Sequence, residues 1–356
     1  MKILHTSDLH INSPLTSRLS ADKVRERKNE LIATFSRMVD EAVFQKVRLF
    51  IIAGDLFDSS RVTKSVAERV LSIIERAASI DFLYLTGNHE RDALIASGLP
   101  LPENLKLFGE DWTYFDYGYL TVAGRSEISA DMFSTLNLSY SNTNVVVLHG
   151  ALTDGRSGGE YISLKEMQDK HIDYAALGHY HSYGVAEIED GSFAVYSGTP
   201  EGRGFDEAGS KGFVMLDTDG KHIRHTFAPF AKRTLRIIDV NVSGAERMSE
   251  IEDATAKALD GVQLSDLIRI RLIGSHAPEL FPDTEAISAR FAHRFYHFEV
   301  KDETTTVINP DTYRYDKSLK GEFIRLVMSK EDISPEEKDK IIRTGLAALM
   351  GEVDRI

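Results

Sequence analysis

The feature that most constrains this chain is a series of short apolar segments, each followed at once by a residue that can bind a metal ion. The apolar residues 49–53 are followed by Gly54-Asp55, and residues 82–85 are followed shortly by Gly87-Asn88-His89. Between such segments, residues 24–43 and 66–77 place apolar side chains at helical spacing. This alternation of buried strand and amphipathic helix predicts a parallel sheet with helices packed against it, in the α/β class.

The pattern of predicted strands and helices changes twice along the chain. From residue 113 to about 230 strands and turns dominate, which predicts two sheets packed face to face with helices outside. After that the pattern restarts as a compact α+β unit and then as two helices, the second beginning at Pro335. We therefore expect a large α/β domain over residues 1–232, a small α+β domain over 233–304, and a helical tail over 305–356.

Composition narrows the function classes. The formal net charge is −13 and the chain has no cysteine, so disulfides, thiolate metal sites and cysteine nucleophiles are excluded. The acidic balance argues weakly against a passive nucleic-acid coat, which would normally be basic, but it is compatible with an enzyme that binds phosphates through metal ions. No apolar run approaches the about 18 residues that a membrane helix needs. We expect a cytoplasmic protein with no membrane partner.

The candidate chemical groups all follow predicted strands. Because ligands bind beyond the carboxyl ends of strands in open α/β sheets, these residues should share one edge; they are Asp8, His10, Asp55, Asn88, His89, His149, His179 and His181. Imidazole, carboxylate and amide donors without sulfur suit Mn²⁺, Fe²⁺, Zn²⁺ or Mg²⁺. Taken singly, each motif is compatible with a structural histidine or a simple turn. Their joint occurrence predicts a pair of metal ions about 3.5–4 Å apart, which suits phosphoryl transfer.

These motifs resemble those of a known family. Asp8-Leu9-His10, Gly54-Asp55-Leu56-Phe57-Asp58, Gly87-Asn88-His89-Glu90, His149-Gly150 and Gly178-His179-Tyr180-His181 are similar to the motifs of calcineurin-like metallophosphoesterases. Residues 7–14 and the segment 196–203, followed by Glu207 and Gly212, resemble the SbcD-type DNA double-strand-break repair exonucleases. The resemblance covers about residues 1–230 and implies a four-layer α/β/β/α sandwich.

The resemblance also implies roles for individual residues. Asp8, His10 and His181 would hold one metal, Asn88, His149 and His179 the other, and Asp55 would bridge them, with Mn²⁺ as the usual metal. A hydroxide held between the two ions would attack phosphorus in line, and His89 would be the catalytic histidine. We further expect Asp58 to accept a hydrogen bond from His89 and so fix its tautomer. Arg203 either contacts substrate phosphate or anchors its glycine-rich loop.

The function expected from these residues is two-metal hydrolysis of DNA phosphodiesters, as an exonuclease or endonuclease of repair type. By resemblance, the partner of the tail is an SMC-like coiled-coil ATPase, and homodimers are expected. Two alternatives stay open at this stage. One is a phosphomonoesterase or small-molecule phosphodiesterase on the same fold, and the other is a non-catalytic subunit of a repair complex.

Overall fold

A computed structural model describes residues 1–15, 19–89, 93–220, 222–277, 280–306 and 313–350. Glu90, which belongs to one of the motifs above, lies outside these residues, as does the last part of the expected tail. The chain divides into two compact units, Met1–Thr234 and Leu235–Ile356. Among the described residues, no helix combines the length and the apolar character needed to cross a bilayer.

The first unit is built mainly from strands. Its strands are β1 (Lys2–Thr6), β2 (Leu49–Ala53), β3 (Asp81–Leu85), β4 (Leu105–Leu107), β5 (Thr113–Asp116), β6 (Leu120–Gly124), β7 (Thr143–His149), β8 (Ala151–Thr153), β9 (Tyr161–Ser163), β10 (Tyr174–Gly178), β11 (Gly184–Glu189), β12 (Ser192–Tyr196), β13 (Gly212–Thr218) and β14 (Ile223–Pro229). Its helices are α1 (Ala21–Phe44), α2 (Lys64–Glu75), α3 (Ala93–Ala96) and α4 (Met132–Thr135).

These strands form two six-stranded sheets. The first has the order β14-β13-β1-β2-β3-β4, and the second has the order β11-β12-β10-β7-β6-β5. β1 to β4 pair in parallel in the first sheet, as do β6, β7, β10 and β12 in the second. The carboxyl ends of the parallel strands within each sheet therefore meet at one edge, where the candidate residues follow.

Strand β2 shows why the fold forms. Its side chains alternate, so that Phe50 and Ile52 pack in the cluster that includes residues of α1 and α2, whereas Leu49 and Ile51 pack between the two sheets. All five residues are buried. A strand buried on both faces must be apolar throughout, which is the run seen in the sequence. The predicted α/β fold with two packed sheets and helices outside is confirmed.

The outer layer on the second sheet is thinner than the sequence suggested. The first sheet is covered by the long helices α1 and α2. The core on the outer face of the second sheet includes residues from the single-turn helix α4, from β9 and from a short 3₁₀ segment at Lys165–Met167. The helical layer on this side is therefore reduced to short pieces.

The second unit has its own core. Its strands are β15 (Leu235–Asn241), β16 (Leu267–Ile273), β17 (Ser275–His276), β18 (His297–Asp302) and β19 (Thr305–Thr306), and its helices are α5 (Met248–Ala258), α6 (Thr284–Phe291), α7 (Leu319–Met328) and α8 (Pro335–Met350). β15, β16 and β18 form a parallel sheet, and its side chains share one core with α5 and α6. α7 and α8 form a smaller cluster with Tyr313, and Arg343 of α8 donates to the carbonyl of Thr304.

Candidate metal centre

Each candidate residue lies at or just beyond the carboxyl end of a parallel strand. Asp8 and His10 follow β1, Asp55 follows β2, and Asn88 and His89 follow β3. In the second sheet His149 is the last residue of β7, while His179 and His181 follow β10. The Nδ1 atom of His149 donates to the carbonyl of Ala53 at 2.9 Å. This bond joins the edges of the two sheets at the site.

The first group of donor atoms, which we call the first-metal group, consists of Asp8, His10 and His181. Their ligand atoms all lie within 4.8 Å of one another, and Asp8 and His10 are buried. The Nε2 atoms of His10 and His181 are 3.2 Å apart. Two imidazole nitrogens at this distance can share one hydrogen bond or bind one cation together, so the arrangement is compatible with a metal ion.

Asp55 lies between this group and the histidine of the second sheet. Its Oδ2 atom is 3.6 Å from Nε2 of His10 and 3.4 Å from Nε2 of His149. Asp8, Asp55 and His149 form a second cluster of ligand atoms within 4.8 Å. One buried carboxylate thus faces both imidazoles, as a bridging ligand requires.

The other donors expected for the second ion adjoin His149. We call His149, Asn88 and His179 the second-metal group. The Oδ1 atom of Asn88 is 3.2 Å from Nε2 of His149, and the His149 and His179 rings are 5.6 Å apart, edge to face. Asn88 is exposed and His179 is partly exposed, so this side of the site opens to solvent.

Backbone strain is concentrated at the site. Asp8, His10, Asp55 and His179 have φ values of 52°, 44°, 52° and 110°. Non-glycine residues rarely adopt this left-handed region, and such residues cluster at functional sites, where the surrounding structure holds them in place. The strain turns the side chains that follow β1, β2 and β10 towards a common point.

Two glycines make the close approach of these groups feasible. A Cβ atom on Gly54, whose φ is 92°, would lie 2.1 Å from Nδ1 of His149. A Cβ atom on Gly87 would lie 2.0 Å from Oδ1 of Asp55. Each glycine of these motifs therefore leaves space for a candidate ligand supplied by another strand, which is more than the turn that the sequence alone suggested.

The prediction that Asp58 pairs with His89 is wrong. Oδ1 of Asp58 lies 3.2 Å from Nδ1 of His10 and accepts a hydrogen bond from Nη1 of Arg203 at 3.2 Å. His89 instead donates its backbone N–H to Oδ1 of Asp55 at 3.3 Å, and its exposed ring lies 5.2 Å from that of His10. Asp58 therefore lies beside a candidate ligand, His10, because the loop after β2 runs beside the loop after β1.

Arg203 is held by protein groups. Its Nε atom donates to Oε1 of Glu207 at 3.0 Å and its Nη1 atom donates to the hydroxyl of Ser13 at 3.2 Å. Only 12% of its side chain is exposed. Of the two alternatives considered for Arg203, this geometry favours the anchor of the loop over the contact with substrate phosphate.

Glu207 supports a candidate ligand, a role that the sequence did not reveal although the residue follows the glycine-rich motif. The Nδ1–H group of His181 donates to Oε1 of Glu207 at 2.7 Å, which leaves the Nε2 lone pair facing the site. Burial raises the pKa of Glu207, but hydrogen bonds from His181 and Arg203 outweigh this and lower it to about 2. The signal in the sequence was an acidic residue four positions after Arg203, whose partner could not be read from spacing.

The electrostatics of the centre also fit a cation. Although burial lowers the pKa of His149, the carboxylates of Asp55 and Asp8 raise it to about 9. Burial raises the pKa of Asp55, yet the surrounding histidines, His149 foremost, hold it below its usual value. Buried carboxylates that need nearby positive charge, set among nitrogen and oxygen donors, are the donor set of a divalent-metal site. The residues present therefore fit two divalent ions.

Comparisons with known proteins agree with this geometry. A sequence model of the calcineurin-like phosphoesterases matches residues 1–183. The uncharacterized metallophosphoesterase YhaO of Bacillus subtilis is 24% identical over 72% of this chain and 68% of its own length. The DNA double-strand break repair protein Mre11 of Saccharolobus solfataricus is 24% identical over 96% of this chain and 94% of its own. Mre11 of Sulfurisphaera tokodaii is 25% identical over 62% and 60%, respectively.

The family model spans more than half of the chain and includes all of the clustered donors. Family membership implies a hydrolase of phosphoesters with a dinuclear metal centre, and the clustered Asp and His donors are suited to hold it. The chain belongs to the calcineurin-like phosphoesterase family.

Proposed function

We propose that this chain is a metal-dependent phosphodiesterase that hydrolyses DNA. The observation that carries the proposal is that His10, after β1, and His149, at the end of β7 in the other sheet, both face one buried carboxylate, Asp55. The relatives named as double-strand break repair proteins, one of which aligns with nearly the whole chain, support DNA as the substrate.

The metal assignment follows the two groups described above. Asp8, His10 and His181 would hold one ion, Asn88, His149 and His179 the other, and Asp55 would serve both. We propose Mn²⁺, with Mg²⁺, Fe²⁺ and Zn²⁺ as alternatives that the donor set also accepts. When bound, two such ions neutralise charge on the phosphate oxygens and make hydroxide available near pH 7.

His89 is the residue of this chain that we propose as the proton donor. Its backbone is fixed by Asp55, and its ring is exposed beside His10 rather than enclosed among the donors. An imidazole in this position can protonate the oxygen that leaves phosphorus, or stabilise its charge, which typically contributes about 10²–10⁴-fold to a rate.

The remaining parts of the proposal concern the second unit. We propose that residues 233–304 cap the active site and that the tail docks an SMC-like coiled-coil ATPase, with homodimers as a further assembly. Apolar side chains on α7 and α8 support a docking role for the tail, since Leu319, Leu326 and Leu349 are 69%, 60% and 45% exposed.

The test is a nuclease assay on defined single- and double-stranded DNA with Mn²⁺ or Mg²⁺, repeated with a chelator. We expect metal-dependent cleavage and little hydrolysis of an aryl phosphomonoester. His89→Ala should keep metal binding and lose about 10²–10⁴-fold in cleavage rate, whereas His293→Ala, at an exposed position in the second unit, should behave as wild type. Preferred hydrolysis of the monoester would overturn the proposal, and unchanged cleavage by the His89 variant would overturn the proton-donor role.

A further inference from the structure

An exposed tyrosine lies between candidate ligands of the two metal ions. Tyr180 is in the loop after β10, with His179 of the second-metal group before it and His181 of the first-metal group after it. Its side chain is 48% exposed, whereas the two histidines are only partly exposed. An aromatic ring that is open to solvent therefore adjoins the metal centre.

The surface of Tyr180 is separate from the cleft of the second-metal group. That group opens into a cleft of about 730 Å³, which Asn88, His149 and His179 line. Tyr180 is not among the described residues that line this cleft. The centroid of its ring is 5.4 Å from that of His179. Tyr180 therefore borders the second-metal group outside the cleft.

The ring of Tyr180 makes no parallel stack with its neighbours. It meets the ring of His179 at an interplanar angle of 59° and the ring of Tyr196 at 66°. The other exposed tyrosine of this loop, Tyr183, is instead stacked on Phe227, with centroids 4.7 Å apart and planes at 27°. Tyr180 is therefore the tyrosine of this loop on which a planar ligand group can stack.

The loop that carries Tyr180 is held in place by its neighbours. The buried ammonium group of Lys211 donates to the backbone carbonyl of His181 at 2.6 Å. A Cβ atom on Gly198, whose φ is 70°, would lie 2.8 Å from the backbone nitrogen of Tyr183, so this glycine allows the loop after β12 to pack against the loop after β10. A ring on a fixed loop loses little conformational freedom when a ligand binds.

Tyr196, which contacts the ring of Tyr180, is also fixed. It is 6% exposed, and the two ring centroids are 4.9 Å apart. The hydroxyl of Tyr196 donates to the carbonyl of Gly150 at 2.8 Å and accepts from the backbone N–H of Leu152 at 2.8 Å. The ring of Tyr180 therefore rests against a side chain that is bonded to the backbone beside His149.

The charge of the chain favours a contact with DNA that does not depend on charge. The formal net charge is −13, so the chain as a whole does not attract a polyanion. Every nucleobase has a π face, and stacking on an aromatic side chain is tolerant of sequence. A phosphodiester at the metal centre carries a nucleoside on each side, which brings a base close to the metal ligands and to Tyr180.

We infer that Tyr180 stacks on a nucleobase of the bound strand beside the scissile phosphate and is therefore a substrate-binding residue. This inference rests on the proposed function, since it takes DNA as the substrate and adds how one of its bases is held. It makes cleavage depend on the presence of a base more than on which base it is.

The test compares oligothymidylate with an oligomer of the same length that has a stable abasic sugar at every position, using the full chain and Mn²⁺. The two substrates carry the same phosphates and differ only in their bases. For the wild type we expect kcat/KM to be about 5- to 100-fold larger for oligothymidylate. Tyr180→Leu should bring this ratio close to one, whereas Tyr180→Phe keeps the ring and should retain it. Because the ratio is taken within each variant, a change in metal affinity cancels.

The matched control is Tyr140→Leu. Tyr140 is 86% exposed and precedes β7, at the opposite end of that strand from His149, so the ratio of this variant should equal that of the wild type. Equal cleavage of the two oligomers by the wild type would overturn the inference and leave DNA hydrolysis standing. An unchanged ratio in Tyr180→Leu, or an equal loss in Tyr180→Phe, would also overturn it. If neither oligomer is cut while an aryl phosphodiester is hydrolysed, DNA is the wrong substrate and both proposals fall.

Discussion

The two halves of the metal centre are supported in different ways. In the first-metal group, His181 donates to the buried carboxylate of Glu207 and His10 lies beside Asp58, with Arg203 contacting both carboxylates. In the second-metal group His149 is oriented by a backbone carbonyl, while Asn88 is exposed at the cleft. The first-metal group is therefore fixed by charged side chains, whereas the second-metal group is fixed by the sheet itself. The second-metal group is the one left open to substrate.

Asp55 is the residue that the two halves share, so its loss should have the largest effect. Asp55→Asn removes the negative charge between His10 and His149, and we expect phosphodiesterase activity to fall by about 10³-fold or more, since each 1.36 kcal/mol of transition-state stabilisation is a factor of ten. Calorimetric Mn²⁺ titration should show weaker binding at both ions. Asp190→Asn, in an exposed turn, is the control. Loss of one ion with the other unaffected would show that Asp55 serves a single half.

His5 tests the packing that keeps the halves together, because it joins the two sheets beneath the site. It is fully buried on β1, and its Nδ1 atom is 2.9 Å from the hydroxyl of Tyr174 on β10. Burial lowers the pKa of His5 from 6.5 to about 3. Between these pH values the unfolded chain binds the extra proton, so stability falls as the pH drops from 6.5 towards 3.

Each pKa unit corresponds to about 1.4 kcal/mol. The free energy of unfolding should therefore fall by several kcal/mol across this pH range because of this histidine. Urea unfolding of the metal-free protein at a series of pH values measures it. In His5→Gln, which carries no titrating proton, the free energy of unfolding should depend less on pH in this range. Parallel curves for the two proteins would contradict the assignment.

A change at Glu207 tests the two halves of the metal centre separately. Glu207→Gln keeps the size of the side chain and removes the charge that accepts from His181 and Arg203. We expect Mn²⁺ affinity at the first-metal group to fall by about 10–100-fold, as for other carboxylates that orient a ligand histidine, with the other ion little affected. Glu187→Gln on the exposed face of β11 is the control. An equal loss at both ions would remove the distinction between the halves.

Arg203 gives the smallest effect and decides between its two roles. Arg203→Lys retains the charge but cannot make the forked contact with Glu207 and Asp58. As an anchor, the residue should affect Mn²⁺ affinity at the first-metal group by about tenfold or less and leave the KM for DNA unchanged once metal is saturating. A raised KM with unaltered metal affinity would instead show that Arg203 contacts substrate phosphate.

The apolar strands could be predicted because burial on both faces leaves no other pattern for β2, and α8 begins at Pro335 as expected. The short pieces β8, β9 and α4 were missed, since segments of three or four residues carry no periodicity. At the site, the sequence supplied the residues that follow the strands. It misplaced the partner of Asp58 because contacts between loops from different strands depend on tertiary packing.

The central claim is that these strand ends hold two divalent ions on either side of Asp55. Anomalous diffraction from a crystal grown with Mn²⁺ tests it most directly. We predict two peaks about 3.5–4 Å apart, one against His10 and His181 and one against His149, with Asp55 touching both. A single peak, or peaks away from these side chains, would contradict the account.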